Sequence, residues 1–318
     1  MAGICSQLRN SRGRLNQPRI CFITMQSLNT SQFRYDGQRP FSADQTPTRI
    51  APFYADEADL NRQLDALAAR MDQAQNVMFA DEHYGLLVLF QAMDAAGKDS
   101  SIRRVFRGVN PSRFKMSPFK KPSKEDLKHD FLWRFWQELP ERGMIGVFNR
   151  TYYEEVLALR VHPDRLREQS IPANLLPDDD QTLWQQRFGD IVHFEDYLFR
   201  NGFPIVKFFL NVAKDEQGKR LVARLNDPEK QWKFSDNDLE EREFWPDYMR
   251  AYEDTINATA TPHNPWYVVP SDDRKNQQLI VASILTEMLE SLPASFPQRP
   301  ADEAQKLIAQ IEKQDQPA

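Results

Sequence analysis

Four short stretches, LLVLF (86–90), MIGVF (144–148), PIVKFFLNV (204–212) and WYVVP (266–270), are apolar almost throughout instead of alternating. A strand with one wetted face alternates with a period of two, so a run that is apolar on successive positions must be covered on both sides. Helical patterns separate these runs: GKDSSIRRVFRG closed by Gly108, TYYEEVLALRV, TLWQQRFGDIVHFEDYLFRNG closed by Gly202, KDEQGKRLVARL, and KNQQLIVASILTEMLESL after the last run. Strands of this kind alternating with helices predict an α/β fold, a parallel sheet with helices on both faces. Ligands of such sheets sit beyond the carboxyl ends of the strands.

The first run leads into AMDAAGKD (92–99), which nearly fits the phosphate-binding loop G-x-x-x-x-G-K-S/T. Ala95, Ala96 and Gly97 are small enough for successive N–H groups to turn inward onto phosphate oxygens. The following helix N-terminus adds partial positive charge, and the Lys98 ammonium can reach a phosphate in transfer. Two positions depart from the pattern: Ala92 replaces the first glycine, and Asp99 stands where Ser or Thr usually holds magnesium. Asp94 is unexpected beside anionic phosphates, an objection that a bridging divalent cation removes; the alternative is an ordinary turn carboxylate.

The net charge of −5 hides a local excess of cations. From Lys98 to Arg134 there are eleven Lys/Arg against four Asp/Glu. Arg103, Arg104 and Arg107 are spaced by three and four on the helix behind the loop, and Lys115, Lys120 and Lys121 follow. One or two phosphates do not need so many cations; a chain of phosphates does. The second strand ends in Asn149 and Arg150. Asn149 occupies the place where a strand-end acid normally holds magnesium through water. Arg150 can clamp phosphoryl oxygens in a bidentate way, or pair with Glu154.

The remaining chain sets boundaries. Residues 1–50 are polar and rich in Ser, Arg, Gln and Pro, the composition of a mostly disordered extension in which Met25 is a candidate start. A long amphipathic helix over 58–79 carries Leu60, Leu64, Leu67 and Met71 at helical spacing. VNPSRFKMSPFKKP reads as a loop, and 123–139 as a helix capped by Ser123, with Phe131, Trp133, Phe135 and Trp136 mostly in the core. Residues 162–180 read as an irregular insertion, 226–245 as a mobile flap leading into a helix, and 294–318 as a peripheral tail, leaving 51–293 as one domain. Cys5 and Cys21 leave the body without a thiol, which excludes a disulfide framework, a cysteine nucleophile or a zinc–thiolate site there. His129, His162 and His193 have no metal-site spacing. No apolar stretch approaches the roughly 18 residues that span a bilayer, and the N-terminus lacks a secretory pattern, so a cytoplasmic protein is expected.

QAMDAAGKD, GVNPSRFKMSPFKKPSKEDLKHDFLWR, GVFNRTYYEEVL, KFFLNVAKDEQGKRLVARL, DPEKQWKFSDNDLEER and NPWYVVP together resemble the polyphosphate kinase 2 family, from about residue 50 to about 293. The resemblance implies a three-layer P-loop kinase fold, similar to thymidylate kinase, with a helical lid at about 220–250. It implies magnesium, with manganese as a substitute, and transfer of the terminal phosphoryl group between polyphosphate and AMP, ADP or GDP. It also implies phosphate contacts from Lys98, Lys120 and Arg150, a lid arginine at Arg224, and Asp94 and Asp238 holding the metal. For Asp238 a helix cap is the alternative. Family members commonly form homo-oligomers. Neither a membrane nor a nucleic acid is an expected partner. An ATP-dependent kinase of the same fold is the first rival, and a nucleic-acid-binding protein, whose affinity would fall steeply with salt, is the second.

Overall fold

The computed structural model describes residues 28–315. Its expected strand runs all become strands: β2 (Leu86–Gln91), β4 (Ile145–Asn149), β5 (Ile205–Asn211) and β6 (Trp266–Pro270). Two further strands complete the sheet, β1 (Arg34–Tyr35) and β3 (Phe114–Pro118), in the order β1-β6-β5-β2-β4-β3. The sheet is parallel except for β1, which runs antiparallel to β6 at the edge.

The central strands β2, β5 and β6 are buried along their whole length, as their composition demands. Helices α1 (Glu57–Asp81), α2 (Lys98–Val105) and α9 (Arg274–Glu290) pack together as one layer. Helices α4 (Glu154–Val161), α5 (Asp180–Arg200) and α8 (Trp245–Thr259) pack together as another. The other helices are α3 (Trp133–Trp136), α6 (Lys214–Leu225), α7 (Asn237–Glu243) and α10 (Ala301–Gln314). On α1 the buried stripe is Leu60, Leu64, Leu67 and Met71, continued by Gln75 and Met78. Each such apolar side chain contributes roughly 1.5–3 kcal/mol on burial.

Three expectations need correction. Residues 28–50 are not disordered: Phe33, Tyr35 and Phe41 are in the core, and Thr48 Oγ1 donates to Asp272 at 2.8 Å across the end of β6. Their many polar residues serve as straps, a use that composition does not distinguish from disorder. The part of the expected extension before residue 28, with Cys5, Cys21 and Met25, lies outside the described residues. The stretch read as a loop after α2 contains β3, an edge strand whose short length and exposed Lys115, Met116 and Pro118 hide it from a hydrophobicity reading.

The expected 123–139 helix breaks into a 3-10 turn (Asp126–Lys128) and the short α3. Asp130 Oδ1 takes the Leu132 N–H at 3.0 Å, offering the backbone an alternative to the helical ladder. Of its aromatic residues only Phe135 is fully buried, and Trp136 is exposed. Over 162–180 two 3-10 turns, Pro163–Gln169 and Ala173–Leu175, stand where the irregular insertion is expected. Among the described residues no helix is long and apolar enough to cross a membrane.

Candidate active site

The loop of residues 92–97 runs from the carboxyl end of β2, in the middle of the sheet, to the N-terminus of α2. Its turn requires unusual backbone. Gly97 has φ +108°, and a side chain there would also bring its Cβ to 3.1 Å from Gln277 Oε1. Ala95 has φ 59°. Arg150, just beyond β4, has φ 64°, a conformation non-glycine residues rarely adopt and one that clusters at functional sites.

Side chains from the ends of β2 and β4 converge on this loop. Lys98 Nζ donates to the Ala92 carbonyl at 2.6 Å. Arg150 donates to Asp94 Oδ1 at 2.9 Å and lies 3.8 Å from Glu154. Asn149 Nδ2 donates to Asp99 Oδ1 at 2.7 Å, so these two departures from the usual motif meet each other. Burial and the neighbouring Arg150 charge lower the Lys98 pKa. Glu154 and then Asp94 raise that of Arg150 above its already high value, against burial.

From the other side, α6 and α7 supply Arg224 and Asp238. Arg224 donates to Asp238 Oδ2 at 3.2 Å and to the Lys233 carbonyl at 3.2 Å. The Asp238 carboxylate also accepts the Ser235 N–H at 3.4 Å, but the N-cap of α7 is Asp236, so Asp238 lies within the first turn and is not the expected helix cap. Burial, then the nearby Asp94 charge, raises the Asp238 pKa: the two carboxylates repel.

A cleft of about 450 Å³ opens beside Asp94 and Arg150. Phe119, Leu127, Leu157 and Ala158 give it apolar wall, and Lys120, Lys121, Glu154, Tyr248 and Tyr252 give it polar edges. Its size suits a small organic ligand. Lys120, expected at the site, lines this cleft. Arg103, Arg104 and Arg107 do not. Arg103 and Arg107 are exposed, while Arg104 donates to Asn61 on α1 at 2.7 Å.

Several residues escaped the sequence reading. Arg220 is buried on α6 and donates to the carbonyls of Ala96 at 2.9 Å, Ser271 at 2.6 Å and Asp272 at 3.0 Å. It holds the loop carbonyls of Ala95 and Ala96 toward α6. Its only local signature is Glu216, one helical turn earlier at 3.0 Å. Arg274 stands near Arg220 and Arg224, and burial with those charges lowers its pKa. Arg220→Met leaves several buried carbonyls without a donor and is expected to destabilise the protein by about 3 kcal/mol. Thermal denaturation of the full chain checks this, and an unchanged melting temperature would refute the rivet.

The family model of polyphosphate kinase 2 matches residues 54–296. An ADP-polyphosphate phosphotransferase of Rhodopseudomonas palustris is 45% identical over 271 residues, 85% of this chain and 93% of that protein. An AMP/ADP-polyphosphate phosphotransferase of Meiothermus ruber is 42% identical over 248 residues, 77% of this chain and 87% of that protein. The crystal structure of polyphosphate kinase 2 from Arthrobacter aurescens superimposes with a TM-score of 0.79 at 35% identity, covering 90% of this chain and 98% of that one. With its strand-end phosphate loop and a fold shared along nearly its whole length with that structure, the chain belongs to the polyphosphate kinase 2 family.

Proposed function

We propose that this phosphotransferase moves the terminal phosphoryl group of polyphosphate to AMP, ADP or GDP, and back, with magnesium as its divalent ion. The carrying observation is the placement of Lys98, Arg150 and Asp94 around one loop at the mouth of the 450 Å³ cleft. In this reading the nucleotide occupies the cleft, with its phosphates toward Arg150 and its nucleoside against Phe119 and Leu157. Polyphosphate lies on the opposite side, toward Arg224 and Arg274. The segment after α6 is the lid, association of copies is part of the same reading, and the protein works in the cytoplasm.

The donor set suits a hard cation. Arg150 engages one oxygen of Asp94 and Arg224 one of Asp238, leaving each carboxylate another. Among the described residues no group of three or more His, Cys, Asp or Glu could hold a metal by itself. Two carboxylates completed by phosphate oxygens and water are how magnesium is usually held. When bound there it supplies positive charge against the phosphates being transferred.

The attacking group is a phosphate oxygen, already anionic near neutral pH, so no side chain has to remove a proton. The protein's task is alignment and charge neutralisation. Lys98 holds the transferring phosphoryl group and Arg150 grips acceptor oxygens. Arg224 is poised to meet the chain of phosphates from the other side. The backbone N–H groups of 95–98 complete the cradle.

The full chain incubated with magnesium, polyphosphate and each nucleotide in turn is expected to form the next higher phosphate only when polyphosphate is present. Efficient transfer from ATP alone would instead favour the nucleotide-kinase alternative. Arg103 and Arg107 are proposed to extend the polyphosphate path along α2. Replacing both by alanine is expected to raise KM for long polyphosphate several-fold while the nucleotide KM stays fixed; movement of the nucleotide KM alone would remove them from that path.

A further inference from the structure

Helix α7 carries Asp238, and one turn later it carries Arg242. Arg242 reaches back to α6, donating to Gln217 Oε1 at 2.5 Å and to the Lys214 carbonyl at 2.8 Å. Gln217 is only 1% exposed. Its other amide atom, Nε2, donates to the Asp94 carbonyl at 2.9 Å. One side chain therefore joins the loop that bears Asp94 to the helix that bears Asp238. Room for the junction comes from Gly218, where even a Cβ would lie 3.3 Å from the Arg242 guanidinium.

The geometry has a clear mechanical meaning. Asp94 and Asp238 come from segments far apart in sequence, and they repel each other. Nothing about their own bonds to Arg150 and Arg224 fixes the distance between them, because those arginines are long and partly exposed. The amide of Gln217 is short, buried and bonded at both ends, so it measures out a fixed spacing between loop and helix. The preceding residue on α7, Glu241, is held by His162 at 2.8 Å and Arg165 at 3.5 Å, a second anchor beside the Arg242 contact.

We infer that Gln217 and Arg242 are positioning residues that set the Asp238 carboxylate in register with Asp94 for the divalent ion. This rests on the reading that those two carboxylates hold the ion. The pair touches neither substrate nor metal; it acts through the spacing of the two acids. Partners that orient metal ligands in this way typically change metal affinity about 10- to 100-fold when removed.

The test uses the full chain and the variants Arg242→Ala, Arg242→Lys, Gln217→Leu, the Gln217→Leu/Arg242→Ala double variant, and Asp238→Asn. Arg242 is partly exposed, so its variants probe the junction without the core loss that Gln217→Leu could bring. Arg242→Ala is expected to raise the magnesium concentration for half-maximal rate about tenfold, with the nucleotide KM within about twofold; lysine, which keeps a donor, restores most of it. In the protein free of substrate and metal, Arg242→Ala is expected to speed amide hydrogen exchange over residues 236–243. The double variant should be no worse than the more severe single one, the mark of two residues acting as a unit.

Additive losses, unchanged exchange over 236–243, or a raised nucleotide KM at a fixed magnesium requirement would each overturn the inference. Asp238→Asn separates the two levels. If it shifts the magnesium requirement while Arg242→Ala does not, the junction fails alone. If it leaves that requirement unmoved, the two-carboxylate reading fails and the junction with it.

Discussion

Lys98→Met is expected to lower kcat by at least about 10²-fold, the usual loss for one electrostatic catalytic group, while making the ligand-free protein more resistant to heat. The two effects share one cause. Lys98 sits on the loop with burial and Arg150 both disfavouring its charge, so its folded pKa lies below the ordinary lysine value of 10.5. A cation whose pKa falls on folding costs stability at every pH below the lowered value. That cost fades as pH rises through the interval up to 10.5. Methionine keeps the packed stem and removes that cost, which is expected to exceed the one bond lost to the Ala92 carbonyl. Polyphosphate should reverse the ranking, because a bound anion rewards the wild-type ammonium and offers the variant little. Parallel melting curves with and without polyphosphate, beside initial rates, check this; a variant with near-wild-type turnover would remove Lys98 from the reaction.

Asp94→Ala is expected to cost at least about 10²-fold in turnover at saturating substrates. Two losses combine. The proposed divalent ion loses a ligand, and Arg150 loses the partner that aims it, leaving Glu154 at 3.8 Å to pull the guanidinium away. Asp94→Asn can still accept a bond from Arg150 but lacks the charge. A loss in both variants that excess magnesium partly repairs points to the ion, whereas loss only in the alanine variant points to arginine aim. Wild-type rates in both would end the assignment.

The sheet was readable because burial on both faces forces continuous apolar runs, and nothing else in the chain writes VVP or FFL at such lengths. The loop was readable because the chemistry is local: AAGK brings its amides, its helix N-terminus and its ammonium within a few residues. What stayed hidden is long-range. Arg220 looks like any helix arginine until residues 96, 271 and 272 fold around it. Gln217 is hidden in the same way, because a buried glutamine gains meaning only from Asp94 and Arg242. Edge strand β3 and the straps of 28–50 were missed because polar composition signals exposure without saying what the backbone bonds to. Among the arginines at 103, 104 and 107, Arg104 shows how spacing alone can mislead. Helical spacing grouped them, yet Arg104 turned to α1.

The floor of the site and the cover we propose for it differ in how firmly they are held. β2 and β5 form the floor with every residue buried, whereas Trp232, between α6 and α7, is 76% exposed. Local opening is governed by such differences in buried contact. Mild urea should therefore silence this enzyme like a reversible inhibitor, detaching the cover while spectroscopic signals of the sheet remain intact.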